Sequence, residues 1–408
     1  MRLDFASHHL TRRDALKLGG AAWATAVGAT LETGQAGAVA PSTTHRRGGA
    51  DPVYNDEMFD VASVIAGGFW LSPYGPDDER GTLNEVTPER TASALRLLTR
   101  GRRVNTYQLG EQIFNGFPAF PSVPPRLHDL FLYVLGYDAG PEFVAGGGIQ
   151  AGTMPIGPNQ IIVHEERSTA NYTFQIGTQL DGLNHVGIGT GDERGGWLYN
   201  DTYAADIITP TGTTELGNET MGPIVTRGVI LDVVGLKVAT GATADFFLGP
   251  NDQPVLCDNY RITIDDIEAC LDRQRVRKPL GPGDVPILHT GWTHLARSDP
   301  GRYLAQQPGI YLAEVRYFAD RRVAIAASDT WGLEVLDSTV TGGNLFPCHQ
   351  ELLGKTGIRI GEGFVTDAAI ADHCYEGVLV VTPQNVPGAT AGSSPPGLLG
   401  QPGRPPRD

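Results

Sequence analysis

One stretch, Gln175-Ile176-Gly177-Thr178-Gln179-Leu180-Asp181-Gly182-Leu183-Asn184-His185, gathers two carboxamides, a carboxylate and an imidazole. In extended backbone, side chains alternate between faces, so Gln175, Gln179, Asp181 and His185 project from one side and mostly apolar residues from the other. Two residues apart, Gln179 and Asp181 lie roughly 6–7 Å from each other along a strand, within reach of one ion or one substrate atom. A straight run would extend roughly 33 Å, too long for a single site. Gly182 is therefore the place for a bend that returns His185 toward Asp181. A helix starting near Asp181 would serve as well, placing Asp181 and His185 at i and i+4 on one face. The plain alternative is a surface strand whose polar face is solvated. Against it, Gly177-Thr178 and Gly182 stand where a packed strand favours β-branched residues, as glycines do where a backbone or ligand comes close. An Asp and a His on that face also form an acid/base pair.

The stretch resembles the H-x-G-T-H-x-D-x-P-x-H signature of the cyclase family, which includes kynurenine formamidase, isatin hydrolase and related metal-dependent amide and lactone hydrolases. Gly177, Thr178, Asp181 and His185 match it, Gln175 and Gln179 stand at its metal-binding histidines, and Leu183 replaces its proline. Later segments follow in the family's order: 227–233, Thr290-Gly291-Trp292, Pro308-Gly309 with Glu314, Ser328-Asp329-Thr330, His349-Gln350-Glu351-Leu352-Leu353, Gly357-Ile358 and Glu362. The likeness runs over residues 60–395.

This resemblance implies a mixed α/β fold, a barrel-like β-sheet flanked by helices of the swivelling β/β/α type. It implies a metal shell of Gln175, Gln179, Asp181, His349 and Glu362. Carboxamides are weaker, neutral oxygen donors than imidazoles, so such a shell holds Zn²⁺ less tightly and leans toward the harder Mn²⁺ or Mg²⁺. With an ion bound, water is activated and the carbonyl polarised, and His185 is the general acid/base. Without one, Asp181 orients His185 as base while the Gln175 and Gln179 amides donate to the oxyanion. Trp70 and Trp292 are candidates to stack on substrate, a core position being the alternative for each. His128, His164, His289, His294 and His373 belong to no motif and receive no role. The implied function is an exported hydrolase of an amide, lactone or similar C–N or C–O bond in a small molecule. The alternatives are a metal-independent cyclase or lyase on the same scaffold and a non-catalytic small-ligand-binding protein, the latter favoured by the loss of both signature histidines.

The elements that must position these residues are legible in part. Thr87 caps a helix with Pro88 in its first turn, an apolar stripe of Ala94, Leu95 and Leu98, and an end at Gly101. The near-continuous apolar run 228–234 is a buried strand. Thr263 with Asp266 forms a capping box before a helix that carries Ile267 and Leu271. Further strands are expected over 283–292, 323–327 and 378–381, with a helix over 309–319. Strands alternating with helices give an α/β architecture. The Pro- and Gly-rich 114–158 region reads as long loops with short strands, a natural source of a lid, and the Gly/Pro/Ser-rich residues 389–408 as a flexible tail.

The chain has 408 residues and a net charge of −15, which argues against nucleic acid and anionic membranes as partners and for a small-molecule substrate. Arg12-Arg13 precedes an Ala/Gly-rich apolar run and an A-x-A region, the pattern of a twin-arginine export signal over residues 1–40. A linker over 41–55 and one catalytic domain over 56–388 follow. The expected location is periplasmic or extracellular, off the membrane once the signal is cleaved, and the expected state a homo-oligomer. Cys257, Cys270, Cys348 and Cys374 match no zinc-binding spacing.

Overall fold

Nearly every residue from Ile224 to Asp232 is buried, and this apolar run forms the strand at the centre of the molecule. The computed structural model describes residues 52–67, 70–134, 158–159, 164–168, 172–276 and 278–407. The export-signal pattern, residues 41–51 of the linker and residues 135–157 of the irregular region lie outside the described residues. Residues Pro52–Phe120 and Arg126–Asp408 make one unit, described below; Pro121–Pro125 belongs to a second and has no regular secondary structure.

The main sheet has nine strands: β1 Asn105–Gln108, β2 Gln179–Asp181, β3 Ile224–Asp232, β4 Val285–His289, β5 Ile325–Ser328, β6 Arg359–Glu362, β7 Glu376–Val381, β8 Ala391–Ser393 and β9 Gly397–Gly400. Their order is β1-β9-β7-β3-β4-β5-β6-β2-β8, strongly curled into a half-barrel. The centre, β3-β4-β5-β6, is parallel, and every strand added outside it pairs antiparallel. This is the mixed α/β, barrel-like fold that the sequence implied.

Parallel neighbours require crossovers, and helices supply them. They include α2 Val233–Ala239 and α3 Ile264–Arg273 between β3 and β4, and α4 Leu312–Asp320 between β4 and β5, whereas α1 Pro88–Leu95 precedes the whole sheet. Alternation along each strand feeds two cores. Val229 and Leu231 of β3 and Ala326 of β5 pack with Ile267, Leu271, Leu312 and Val315 of the helices. Ile230, Ile325 and Ala327 face the other way, packing with Leu180 of β2 and Leu398 of β9. Among the described residues no helix is long and apolar enough to cross a membrane.

The caps fall where the residue types place them. The Thr87 side chain accepts from the Arg90 amide with Pro88 in the first turn, although α1 stops at Leu95, short of Gly101. Thr263 and Asp266 make the reciprocal capping box of α3. The strand expected over 228–234 ends two residues early, because the Asp232 carboxylate accepts from the Gly235 amide at 2.9 Å and starts α2.

Two expectations need correction. Residues 389–408 are not a free tail: β8 pairs with β2 and β9 lies between β1 and β7. Gly and Pro there punctuate two short strands instead of dissolving them. The linker ends earlier than residue 55, since the Tyr54 hydroxyl donates to Asp320 at 2.9 Å and Arg316 donates to the Asn55 carbonyl at 2.8 Å, fastening this segment to α4.

Leu398 is fully buried in the inner core. Leu398→Ala should therefore lower unfolding stability by about 2–5 kcal/mol in chemical denaturation, as deletion of a buried leucine does. A cost near zero would mean that β9 does not belong to the folded core.

Candidate functional site

The short strand β2 reaches the site because it is held on both sides. Gln179 lies opposite Glu362 of β6 and opposite Ser393 of β8, and Asp181 opposite Ala391. Leu180 points into the inner core, so alternation puts Gln179 and Asp181 on the other face, where both are buried. The bend at Gly182 is real. Its amide donates to the Thr390 carbonyl at 2.8 Å and its carbonyl accepts from the His185 amide at 3.1 Å, closing a turn. A Cβ there would come within 3.0 Å of the Thr390 oxygen. The turn brings His185 beside Gln175, with Nδ1 at 3.4 Å from the Gln175 Nε2. Gln175 itself precedes β2, across Gly177 with its positive φ of 66°.

From the opposite side His349 enters at the end of a short helix, Pro347–His349, which continues as the π-helical segment Gln350–Thr356. Such wide turns re-aim side chains and occur often at functional sites. Asp181, His349 and Glu362 each offer one ligand atom, and these atoms lie within 4.8 Å of one another, all three side chains being buried. The His349 Nε2 stands 3.4 Å from Glu362 Oε1 and 3.8 Å from Asp181 Oδ2.

Glu334, which no motif announced, fixes that geometry. Fully buried, it accepts from the His349 Nδ1 at 2.6 Å and from the backbone amides of Cys348 and His349 at 3.0 Å each. Occupying Nδ1 leaves Nε2 as the nitrogen turned to the two carboxylates, the arrangement by which a carboxylate orients a ligating histidine. Burial opposes the charged imidazolium, but Glu334 and Glu362 outweigh it and hold the His349 pKa up at about 10. Burial, reinforced by the neighbouring Asp181, raises Glu362 to about 7. His185 moves the other way: burial, with the charges of His349 and Arg126 and against that of Asp181, pulls it below the ordinary imidazole value. At neutral pH it is a neutral ring.

The two glutamine amides are hydrogen-bonded to each other and to the cluster. The Gln179 Nε2 donates to Glu362 Oε2 at 2.6 Å and to Gln175 Oε1 at 2.7 Å, and lies 3.4 Å from Asp181 Oδ1. Gln175 thus joins Gln179 to His185. Two buried acceptors, Asp181 Oδ2 and Gln179 Oε1, have no hydrogen-bond partner. An unpaired buried carboxylate oxygen is costly, and one beside a second carboxylate and an aimed imidazole nitrogen fits a divalent cation. The donor set of two carboxylates and one histidine suits it chemically.

Beside this cluster lies a small hollow of about 20 Å³, lined by Phe117, Phe120, Tyr303 and Trp331, with Arg126 beside Gln175, Gln179 and Glu362, so a substrate enters only if these rings move apart. The Arg126 guanidinium lies over the Phe120 ring at 5.6 Å, where burial lowers its pKa against the pull of Glu362 and Asp181. Glu111 is a further buried carboxyl, packed so that a Cβ on Gly363 would meet its Oε2 at 2.9 Å. Burial and the Asp329 charge push it up to about 8. Neither Arg126 nor Glu111 has a motif around it, and only the aromatic density of 114–120 hinted at this wall.

Both tryptophan expectations need correction. Trp292 is completely buried in a cluster with Ile176 and Tyr303, its indole donating to the Tyr303 carbonyl at 2.9 Å. No face is left for a substrate. Trp331, which donates to the same carbonyl at 2.7 Å, lines the hollow in its place. Trp70 packs edge-on against Phe59 at 5.1 Å, with Lys355 over its ring, in a separate cluster with Val64 and Trp197.

The family model Cyclase, described as "Putative cyclase", matches residues 107–335, more than half of the chain. Among solved structures, one described as a novel cyclase is 27% identical with a TM-score of 0.62, over 84% of this chain and 99% of that one. Isatin hydrolase A from Ralstonia solanacearum is 15% identical with a TM-score of 0.47, over 77% of this chain and 98% of its own. No curated protein matches the sequence. With the family model spanning the strand that carries Gln179 and Asp181, the chain belongs to the cyclase family.

Proposed function

We propose that the protein is a hydrolase that opens an amide or lactone bond of a small molecule with an aromatic or otherwise flat apolar body. The observation that carries this reading is the buried Asp181 Oδ2, which has no hydrogen-bond partner and lies beside Glu362 and the His349 Nε2, next to a small hollow lined by aromatic rings. Asp181, His349 and Glu362 would hold a divalent ion, which when bound supplies a water of lowered pKa and polarisation of the scissile carbonyl. Glu334 keeps His349 in the ligating orientation. His185, neutral at working pH and accepting at Nδ1 from the Gln175 amide, carries its proton on Nε2; to act as base it must give up the Gln175 bond and take the other tautomer, after which Nε2 accepts the proton of the attacking water and returns it to the leaving nitrogen or oxygen. Arg126 supplies fixed positive charge at the hollow for developing negative charge on the substrate. The rings of Phe117, Phe120 and Trp331 exclude water from the apolar part of the substrate.

The amide of Gln179, already donating between Glu362 and Asp181, favours a second reading in which the same residues work without an ion. The Arg12-Arg13 pattern supports export of the folded enzyme by the twin-arginine route.

Elemental analysis of the purified protein, followed by a screen of aromatic amides and lactones with and without Mn²⁺, tests the reading. Turnover that chelation abolishes is expected. His185→Ala should reduce kcat by about 10²–10⁴-fold with metal content unchanged, the range for loss of a general acid/base. Activity indifferent to chelation would select the metal-free reading, and absence of turnover with any acyl substrate would refute the hydrolase.

Glu334→Gln should weaken Mn²⁺ binding, read by calorimetry, about 10- to 100-fold. Because His349 and Glu362 have raised pKa values of about 10 and about 7, ion binding must displace their protons, so affinity should climb as pH rises from 6 to 9. A flat pH profile would contradict ligation by these two groups.

A further inference from the structure

The carboxyl ends of the parallel strands β3 and β4 set Asp232 and His289 side by side in register. Open parallel sheets bind ligands at this end, yet the proposed reaction uses neither residue. A cavity of about 750 Å³ opens there, within the usual range of small-molecule sites. Val234, Val238 and Ile370 give it an apolar wall, and Arg273, His289 and His294, with the carboxylates Asp232 and Asp367, bring polar groups to it.

The polar groups are built in. His289, only 6% exposed, has Nδ1 3.0 Å from the Thr366 hydroxyl and 3.3 Å from Asp329 Oδ2, which leaves Nε2 to face the cavity. Asp329 is itself locked by the amides of Thr290 and Gly291 and by the Thr290 hydroxyl. Burial disfavours the charged ring, but Asp329 outweighs it and holds His289 protonated, with a pKa of about 9. His294 is paired through Nε2 with Asp367 at 2.8 Å, and Asp232 is turned to the Gly235 amide. Arg273, the last residue of α3, has buried Nε and Nη1 atoms with no hydrogen-bond partner. Those two atoms are closed to solvent, so a ligand in the cavity meets the guanidinium at its remaining terminal nitrogen, Nη2.

We infer that this cavity is a second small-molecule site, independent of the hydrolase reading, that takes a small organic carboxylate with an apolar body. The carboxylate lies on Arg273 and the His289 Nε2, and the apolar body lies against Val234, Val238 and Ile370.

The test titrates the full purified chain with benzoate and hexanoate by calorimetry, with benzamide and hexylamine as neutral and cationic counterparts. Both carboxylates should bind at least about tenfold more tightly than these counterparts, the difference expected from charge-assisted hydrogen bonds. Arg273→Gln should weaken them by a similar factor. Val238→Trp, at a half-exposed wall position, should block the cavity sterically and carries the test if the arginine variant fails to fold. Arg126→Gln should leave carboxylate binding unchanged, which separates this cavity from the aromatic hollow. No carboxylate binding up to about 10 mM, a weak limit for ligands of this size, would overturn the inference. So would binding retained in both cavity variants, binding lost in Arg126→Gln, or preference for the amine.

Discussion

Three carboxylates converge on one imidazole in the interior of this protein, and that charge balance constrains everything around it. Asp181, Glu334 and Glu362 are all buried about His349. Negative charges so close and so far from water must be neutralised by protons, by donors or by a cation. Without a bound ion the protein uses the first two: a protonated His349, a raised Glu362 and the amide of Gln179. The leftover Asp181 Oδ2 marks what those devices do not cover. An ion and the His349 proton therefore compete for one place, and Glu334 steadies the ring in either state.

Bringing those groups together is a task for the sheet edge. A parallel core of β3 to β6 is a stable platform, but its strands carry Glu362 alone of the cluster. Asp181 and Gln179 arrive on a three-residue strand, too short to be stable by itself, clamped between β6 and β8. The carboxyl-terminal segment thus supports the site strand directly, and the Gly182 turn rests on Thr390 of the same segment. Packing and chemistry share one set of contacts here, so loss of the terminal strands would be felt at Asp181 before it reached the central helices.

How much of this could be read from the chain depends on whether the signal is local. Thr87-Pro88 and Thr263 with Asp266 declare their helices because a cap is satisfied within one turn. The buried strand at 224–232 declares itself by composition. The Asp181–His185 bend was legible because a glycine interrupts a polar face. By contrast, Glu334 and Arg126 act through partners far away in sequence and have no neighbours that announce them. Trp292 was misjudged because an aromatic after a strand looks the same whether it faces a cleft or a core, and the Tyr303 carbonyl that captures its indole is eleven residues away. The 389–408 segment was misjudged because short strands rich in Gly and Pro have the composition of a linker, and only their partners β1, β2 and β7 make them strands.

The exchange of imidazole for carboxamide at residues 175 and 179 changes what kind of site this is. An imidazole can ligate, take up a proton and carry charge, whereas a carboxamide remains neutral across the working pH range. With glutamines the cluster cannot gain two further positive charges on acidification, so its compensation falls on His349, on a proton at Glu362, on the nearby Arg126 and on whatever cation enters. The amide of Gln179 meanwhile donates to Glu362 and lies beside Asp181, a contact that two ligating imidazole nitrogens could not make. The glutamine pair thus trades ligand strength for a hydrogen-bonded link from Glu362 through Gln179 and Gln175 to His185. Because one amide nitrogen, the Gln179 Nε2, donates to both Glu362 and Gln175, a rotation of that amide would loosen both bonds together and so remove the support that Gln175 gives the His185 ring.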